Sequence, residues 1–422
     1  MNHQSVTPKE REILRELAKQ QAEVSALPVM AEREKHWYDL NDGFARHPLV
    51  VMEFHGPSAE VYPPLSCESP FARSLEMQMA RQLFKHENFK DDRVIPAYVT
   101  VGVPNGMRPF DFTPDVNYVQ KSDGTQDIGY MFNHAVHDME ADFGAFKPSS
   151  THIDAGLVKA NEAKAQAEAI LGDILPVKIE GTTHHLSPGH ALIRMMSTET
   201  MFCAIMDYPE LFHKAMRRLT DDALAFMDAM EQNGALLPAN DAARIAMDSF
   251  CFTRDLPGPA EGQPVTMKDV WGYANVQESV GLSPAQFDEF FFTYILEYSS
   301  RCGLYSYGCC EPVHAVWERS LSRMKNLRKL SISPWCDEEY MGEVLRGTKI
   351  TYHRKPFPNF FSDSAVFDEE AFRKHMLRTV KAARGCPLEV TFRDIYSVYG
   401  EPRRLARAVE ITREVFADAY QG

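Results

Sequence analysis

Apolar positions recur along this chain with two periods, near 3.6 and near 2, and each change of period marks a new element. The clearest succession begins at Gly303. Residues 303–309 have the aromatic content of a buried strand and end in Gly308 and Cys309. Pro312 then opens a helix with Val313, Val316, Trp317 and Leu321 at core spacing. Next come a strand over 327–335, a helix capped by Asp337 and a strand over 348–355. A helix capped by Asp368, with Glu369 and Glu370 in its first turn, a strand over 388–395 and a helix over 401–420 end the chain.

Upstream the rhythm is looser. One exposed helix is predicted over 7–36, irregular proline-rich cover over 41–70, and amphipathic helices over 76–86, 157–171, 198–206 and 209–232. Strands are predicted over 93–102, 175–181 and 242–252, and a Phe-rich helix follows the Ser283 cap. Three loose strands followed by four strand-helix pairs imply a parallel α/β sheet, open or closed. No Gly-rich phosphate fingerprint follows the first strand, which favours a (β/α)8 TIM-type barrel over an open doubly wound sheet. Seven strands are legible, one short of a barrel.

Composition narrows the class. With 44% hydrophobic and 25% charged residues the chain is an ordinary globular protein, and a barrel with an extension absorbs 422 residues as one domain. The net charge of −14 argues against a nucleic-acid surface. Residues 1–26 are polar, and no stretch nears 18 uninterrupted apolar residues, so the expectation is a cytoplasmic protein without a membrane span. Eight scattered cysteines read as reduced thiols rather than a disulfide framework.

Chemistry is concentrated where the predicted strands end. Cys309, Cys310 and Glu311 follow the 303–309 strand; adjacent thiols are soft ligands for zinc, or else ordinary buried cysteines. His353, which shares a strand face with Lys355, is a further metal candidate or a structural histidine. Thr182, Thr183, His184, His185 and His190 form a substrate loop or a polar turn. Glu278, close to Trp271 and Tyr273, is a general acid/base or a solvated carboxylate. Asp248 is a site acid or a turn former, and Asp394 a site acid or an ion-pair partner of Arg393. His134 and His137 at i, i+3 are a weaker metal pair.

Taken together, Trp271-Gly, Gln277-Glu278, Ser283-Pro284, Tyr307-Gly-Cys-Cys-Glu-Pro312, Ser331-Ile-Ser-Pro-Trp335, Lys355-Pro and Arg393-Asp394-Ile resemble the uroporphyrinogen decarboxylase superfamily, in particular its corrinoid-dependent methyltransferase-like branch. The resemblance runs from about residue 90 to the end. It implies an N-terminal helical extension and cover over 1–90 and a (β/α)8 barrel over 91–422, often paired as a homodimer. It also implies methyl transfer between a small substrate and a corrinoid protein, with zinc activating the donor or acceptor; the cobalamin arrives on the partner. Related methyltransferases hold zinc with a His-x-Cys pair and a distant cysteine. This sequence has Tyr307-Gly308-Cys309 at that place and Cys386 as the distant counterpart. Expected metal ligands are therefore Cys309, Cys310, His353 and Glu311. Expected catalytic residues are Glu278, Asp248, Asp394 and Tyr307, and expected substrate contacts are His184, His185, Trp271 and Lys355. The Met-Arg-Gln-Ala-Gly-Arg run of true uroporphyrinogen decarboxylases is absent. Two alternatives stay open: a cofactor-free decarboxylase, with Asp248 or Asp394 stabilising a protonated intermediate, and a non-catalytic binding barrel.

Overall fold

The computed structural model describes residues 6–56, 58–104, 106–120, 127–256, 258–362 and 366–420. In chain order the first strands are β1 (Leu49–Met52), β2 (Val99–Val101), β3 (Gly106–Arg108), β4 (Asp115–Gln120), β5 (Asp127–Asn133) and β6 (Ser150–His152). The later ones are β7 (Val177–Ile179), β8 (Thr183–His185), β9 (Trp271–Ala274), β10 (Leu304–Tyr307), β11 (Leu327–Ile332), β12 (Thr351–Arg354) and β13 (Leu388–Phe392). Seven of them form one parallel sheet in the order β1-β13-β12-β11-β10-β9-β8. β2 pairs in parallel with β7, which is separated from β8 by only three residues, while β3 with β6 and β4 with β5 make antiparallel pairs. The result is a mixed α/β architecture in which every strand of the main sheet runs the same way.

The two faces of this sheet carry different chemistry. On the outer face Arg354, fully buried, donates to Glu338 at 2.7 Å, and the Tyr352 hydroxyl donates to the Glu338 carbonyl, so β12 is locked beneath the helix Glu338–Leu345. Neighbouring positions point the other way, as the two-residue period of a strand requires. There Lys329, His353 and Glu389, all fully buried, meet on three adjacent strands: Lys329 Nζ lies 2.7 Å from Glu389 Oε2, and His353 Nε2 3.5 Å from Oε1. Ser249 completes the cluster, donating to Glu389 at 3.1 Å and accepting from Lys329 at 2.6 Å.

Ser249 belongs to a segment that corrects the sequence reading. Residues 242–252 are not a strand. They fold back on themselves through an Arg244–Phe250 bridge, with Met247 and Asp248 at φ of 53° and 51°, and lie against the inner face of the sheet. Trp271 Nε1 donates to the Cys251 carbonyl and Asn41 Nδ2 to the carbonyls of Phe250 and Phe252. The apolar residues that suggested a strand are buried by this inward packing instead. Three strands of the main sheet went unpredicted: β1, inside the stretch read as cover, β8, inside the stretch read as a loop or polar turn, and β9, only four residues long; the short outlying strands β3 to β6 were not predicted either. The helix expected from Pro312 is a pair of 3-10 turns, Val313–Val316 and Leu321–Arg323, and the helix expected over 7–36 is two, Pro8–Ser25 and Pro28–Asn41. His134 and His137 sit in irregular chain. The Phe-rich helix is present, passing from Pro284–Phe287 through a π-helical stretch at Asp288–Phe292 into Thr293–Ser299. Among the described residues no helix is long and apolar enough to cross a membrane.

Breaking the buried pair leaves one charge without a partner, which costs about 3–5 kcal/mol, whereas replacing both partners by apolar groups is close to neutral. Lys329→Met should therefore destabilise the protein by about that amount, and Lys329→Met with Glu389→Leu by much less. Urea unfolding of the two variants measures the difference.

Candidate active site

The exits of β8, β9, β10 and β13 surround a cavity of about 790 Å³ lined by His185, His190, Tyr273, Asn275, Cys309 and Arg393, among others. Strand ends are where parallel α/β sheets place their chemistry, because the loops there are free to vary while the strands fix them.

Its centre is the turn after β10. Gly308 sits at φ 95°, where a Cβ would stand 3.1 Å from that of Ser331, so a glycine is required. The turn is then held from below. Glu311 accepts from the Val276 N–H through Oε1 at 2.9 Å and from the Cys309 N–H through Oε2 at 2.8 Å, tying the exit of β10 to that of β9. Ser331 Oγ and Lys355 Nζ both donate to the Cys309 carbonyl, at 2.9 and 3.1 Å. Glu311 is thus a backbone clamp, and burial raises its pKa.

The clamp presents two sulfurs 3.6 Å apart. A hydrogen bond from Cys310 lowers the Cys309 pKa to about 5 against the opposing effect of burial, and the charges of Lys355 and Arg393 lower it further. Cys310 is pushed up correspondingly, since a thiol that donates to a thiolate must keep its proton. The pair is one thiolate and one thiol sharing a proton. Arg393 lies 3.6 Å from Glu53 and 3.5 Å from Asp394; Cys310 Sγ lies 4.0 Å from Asp394 Oδ2. Asp394, at φ 58°, donates its N–H to His55 Nδ1 at 3.2 Å. Burial raises the Glu53 pKa to about 7.

On the opposite wall, Glu278 lies 3.1 Å from His190 Nε2, and this contact raises the histidine pKa, with a smaller contribution from the Cys309 thiolate. Glu278 is therefore behind His190, its own side chain almost fully buried. His185 stacks at a tilt on Tyr273, 5.2 Å between ring centres, and burial lowers its pKa.

The structure brings Cys309, Cys310, Lys355, Asp394, Glu311, His185 and, through His190, Glu278 to one place, with His184 in the wall of the same cavity, and puts His353, Asp248, Trp271 and Tyr307 elsewhere. His353 lies deeper, fully buried against Glu389 with its Nε2 2.8 Å from Thr391 Oγ1, and burial lowers its pKa to about 3. Asp248 is engaged by Lys85 at 3.0 Å, Arg93 at 3.4 Å and Arg244 at 3.5 Å; these cations outweigh burial and hold its pKa low. Trp271 is spent on the Cys251 carbonyl, and Tyr307 is fully buried with its hydroxyl unpartnered. His184 lies with its ring 6.4 Å from those of Phe226 and Tyr298, and burial lowers its pKa to about 4. Cys386 is buried just before β13, with its sulfur 3.5 Å from the Gly342 carbonyl, at the end of that strand opposite to Arg393. Glu53, His55, Asn275 and Arg194 were not singled out from sequence. For Glu53, His55 and Asn275 only a position just past a strand could have pointed to them, and their strands β1 and β9 were not seen; Arg194 stands on the helix Pro188–Met195, which was not predicted.

Zinc was expected from the thiols. Among the described residues, no three His, Cys, Asp or Glu side chains converge as a metal site. Glu311 is occupied by backbone donors and His353 lies a layer below, so two sulfurs remain, fewer than the three protein ligands of a catalytic zinc. The donor set does not fit a preformed zinc centre.

No family model matches the chain, and no curated protein does. Among solved structures, a methyltransferase from Methanosarcina mazei is similar over 91% of this chain and 99% of its own, with 12% identity and a TM-score of 0.49.

An ordinary thiol titrates near 8.5, so alkylation by iodoacetamide slows below about pH 8. Cys309 should instead stay reactive down to about pH 5. Because the Cys310 hydrogen bond is the largest cause, Cys310→Ala should move the midpoint up by more than Lys355→Met does. Mass spectrometry of the peptide carrying Cys309 follows both; a wild-type midpoint above 8 contradicts the thiolate.

Proposed function

We propose that this chain is a methyl-transfer enzyme in which the Cys309 thiolate is the nucleophile. The observation that carries this reading is a stabilised thiolate facing a cavity whose other wall holds a histidine that Glu278 pushes towards its protonated form. The thiolate attacks the methyl carbon of the donor; the sulfur–carbon bond forms as the bond from carbon to the donor heteroatom breaks, and the His190 imidazolium gives its proton to that leaving atom. An acceptor nucleophile then attacks the same carbon. Its bond to carbon forms, the sulfur–carbon bond breaks, and Cys309 leaves as the thiolate that Cys310, Lys355 and Arg393 stabilise. Glu278 is a positioning residue that keeps His190 charged. The sequence resemblance supports the group transferred and makes a corrinoid protein the proposed methyl acceptor or donor; a cytoplasmic homodimer belongs to the same proposal. Zinc is carried by that resemblance alone, and no step depends on it.

The architecture that goes with this reading is a (β/α)8 barrel with β7 and β8 as two halves of one staved strand. In support, the Asp92 N–H donates to the Val50 carbonyl at 2.9 Å, spanning the gap between β1 and the chain leading to β2. The decarboxylase alternative loses Asp248, whose charge is taken up by three cations.

The test is incubation with methylcobalamin, followed by mass spectrometry of the Cys309 peptide and by methyl transfer to added thiols. A methyl group on Cys309, and loss of transfer by about three orders of magnitude in Cys309→Ala, is the expected result. Transfer that persists in Cys309→Ala, or stoichiometric zinc lost on replacing both cysteines, overturns the free-thiolate mechanism. In Glu278→Gln the histidine pKa falls, so the decline of kcat/KM at high pH should begin at lower pH than in wild type.

A further inference from the structure

The wall of the cavity is cationic in a chain whose net charge is −14. Arg194, Arg244 and Arg393 all line it, against Glu180 as the one carboxylate among its described lining residues, and burial raises the pKa of that glutamate towards the neutral form. These guanidiniums are not equivalent. Arg393 is held by Glu53 and Asp394, and Arg244 by Asp248 while its guanidinium stacks 3.4 Å above the Phe250 ring. Arg194, one helical turn beyond His190 on the helix Pro188–Met195, pairs with no carboxylate among the described residues. In the same lining, Asn275 is 1% exposed, its Oδ1 accepting from Ser187 at 2.5 Å and its Nδ2 without a partner among the described residues. A buried amide donor left unsatisfied is costly, about 1–3 kcal/mol, and is explained when an acceptor arrives from outside. Part of the remaining wall is apolar and soft, including Met107, Met230, Met267 and Phe226.

From this we infer that the cavity takes an organic acid, with a carboxylate on Arg194 and the Asn275 amide and an apolar body against the methionines and Tyr273, and that this acid is the methyl donor. The identity as methyl donor rests on the methyl-transfer reading; the binding of an acid does not. Arg194 is the right group because a guanidinium grips a carboxylate through two parallel N–H bonds, and because the cations nearer to Cys309 already stabilise its sulfur. An anionic head at the thiolate would be repelled, which orients the ligand with its acid away from the reacting sulfur.

Calorimetry on the full chain carrying Cys309→Ser, which cannot turn over, tests this with 4-methoxybenzoate and its neutral amide, 4-methoxybenzamide. The acid should bind at least about tenfold tighter, the preference should shrink as salt is raised, and Arg194→Met should bring the ratio to about one while leaving the melting temperature unchanged, since Arg194 is exposed. Equal affinities, no binding of the acid, or a preference intact in Arg194→Met overturns the inference. A preference for the acid in a protein that never methylates Cys309 keeps the binding site and removes the methyl-transfer reading instead.

Discussion

A single carboxylate decides the geometry on which the chemistry depends. Glu311 takes two backbone N–H groups, one from each side of the gap between β9 and β10, and both oxygens are satisfied in a buried position. Had either amide been left alone, that exit would carry an unpaired buried donor; with both paired, the turn at Gly308 to Cys310 has one conformation. Everything that stabilises the thiolate, from the neighbouring thiol to Lys355 below it, acts on a sulfur whose position this clamp has fixed.

Below the clamp the sheet is organised by charge as much as by apolar packing. Lys329, His353 and Glu389 occupy one interior layer, and Lys355, two residues past His353, and Arg393, four past Glu389, stand beyond it at the strand exits. The same alternation that buries the lower layer delivers cations to the floor of the cavity. The folded segment over 242–252 joins the two, contributing Ser249 to the lower layer and Arg244 to the cavity wall. A charged interior of this kind is a poor source of stability by itself, and it makes the inner packing dependent on complete pairing.

The cavity divides its labour between neighbouring strands. β10 supplies the sulfurs, and the ends of β12 and β13 the charges that help hold one of them ionised, while the helix after β8 supplies His190 and the turn after β9 its carboxylate and Asn275. Acid and nucleophile thus belong to different elements, and their opposite protonation states come from their surroundings: a hydrogen-bonding thiol and cations for Cys309, an adjacent carboxylate for His190.

What the sequence determined by itself was whatever local rules control. The regular alternation after residue 303 gave β10 to β13 in order, because these strands are buried on both faces and the last three are separated by capped helices. The adjacent cysteines at the end of β10 and the Lys355 and Asp394 positions followed from the same alternation. Tertiary structure decided the rest. Residues 242–252 have the composition of a strand but are buried by folding back inside the sheet, while the four-residue strands β1 and β9 are strands only because β13, β8 and β10 pair with them. Cys310 and the Cys309 N–H lie beside their partners in sequence, but Lys355 and Arg393 at Cys309, Val276 at Glu311 and Glu389 at His353 lie tens of residues away, at separations that no local pattern encodes and only tertiary packing brings together.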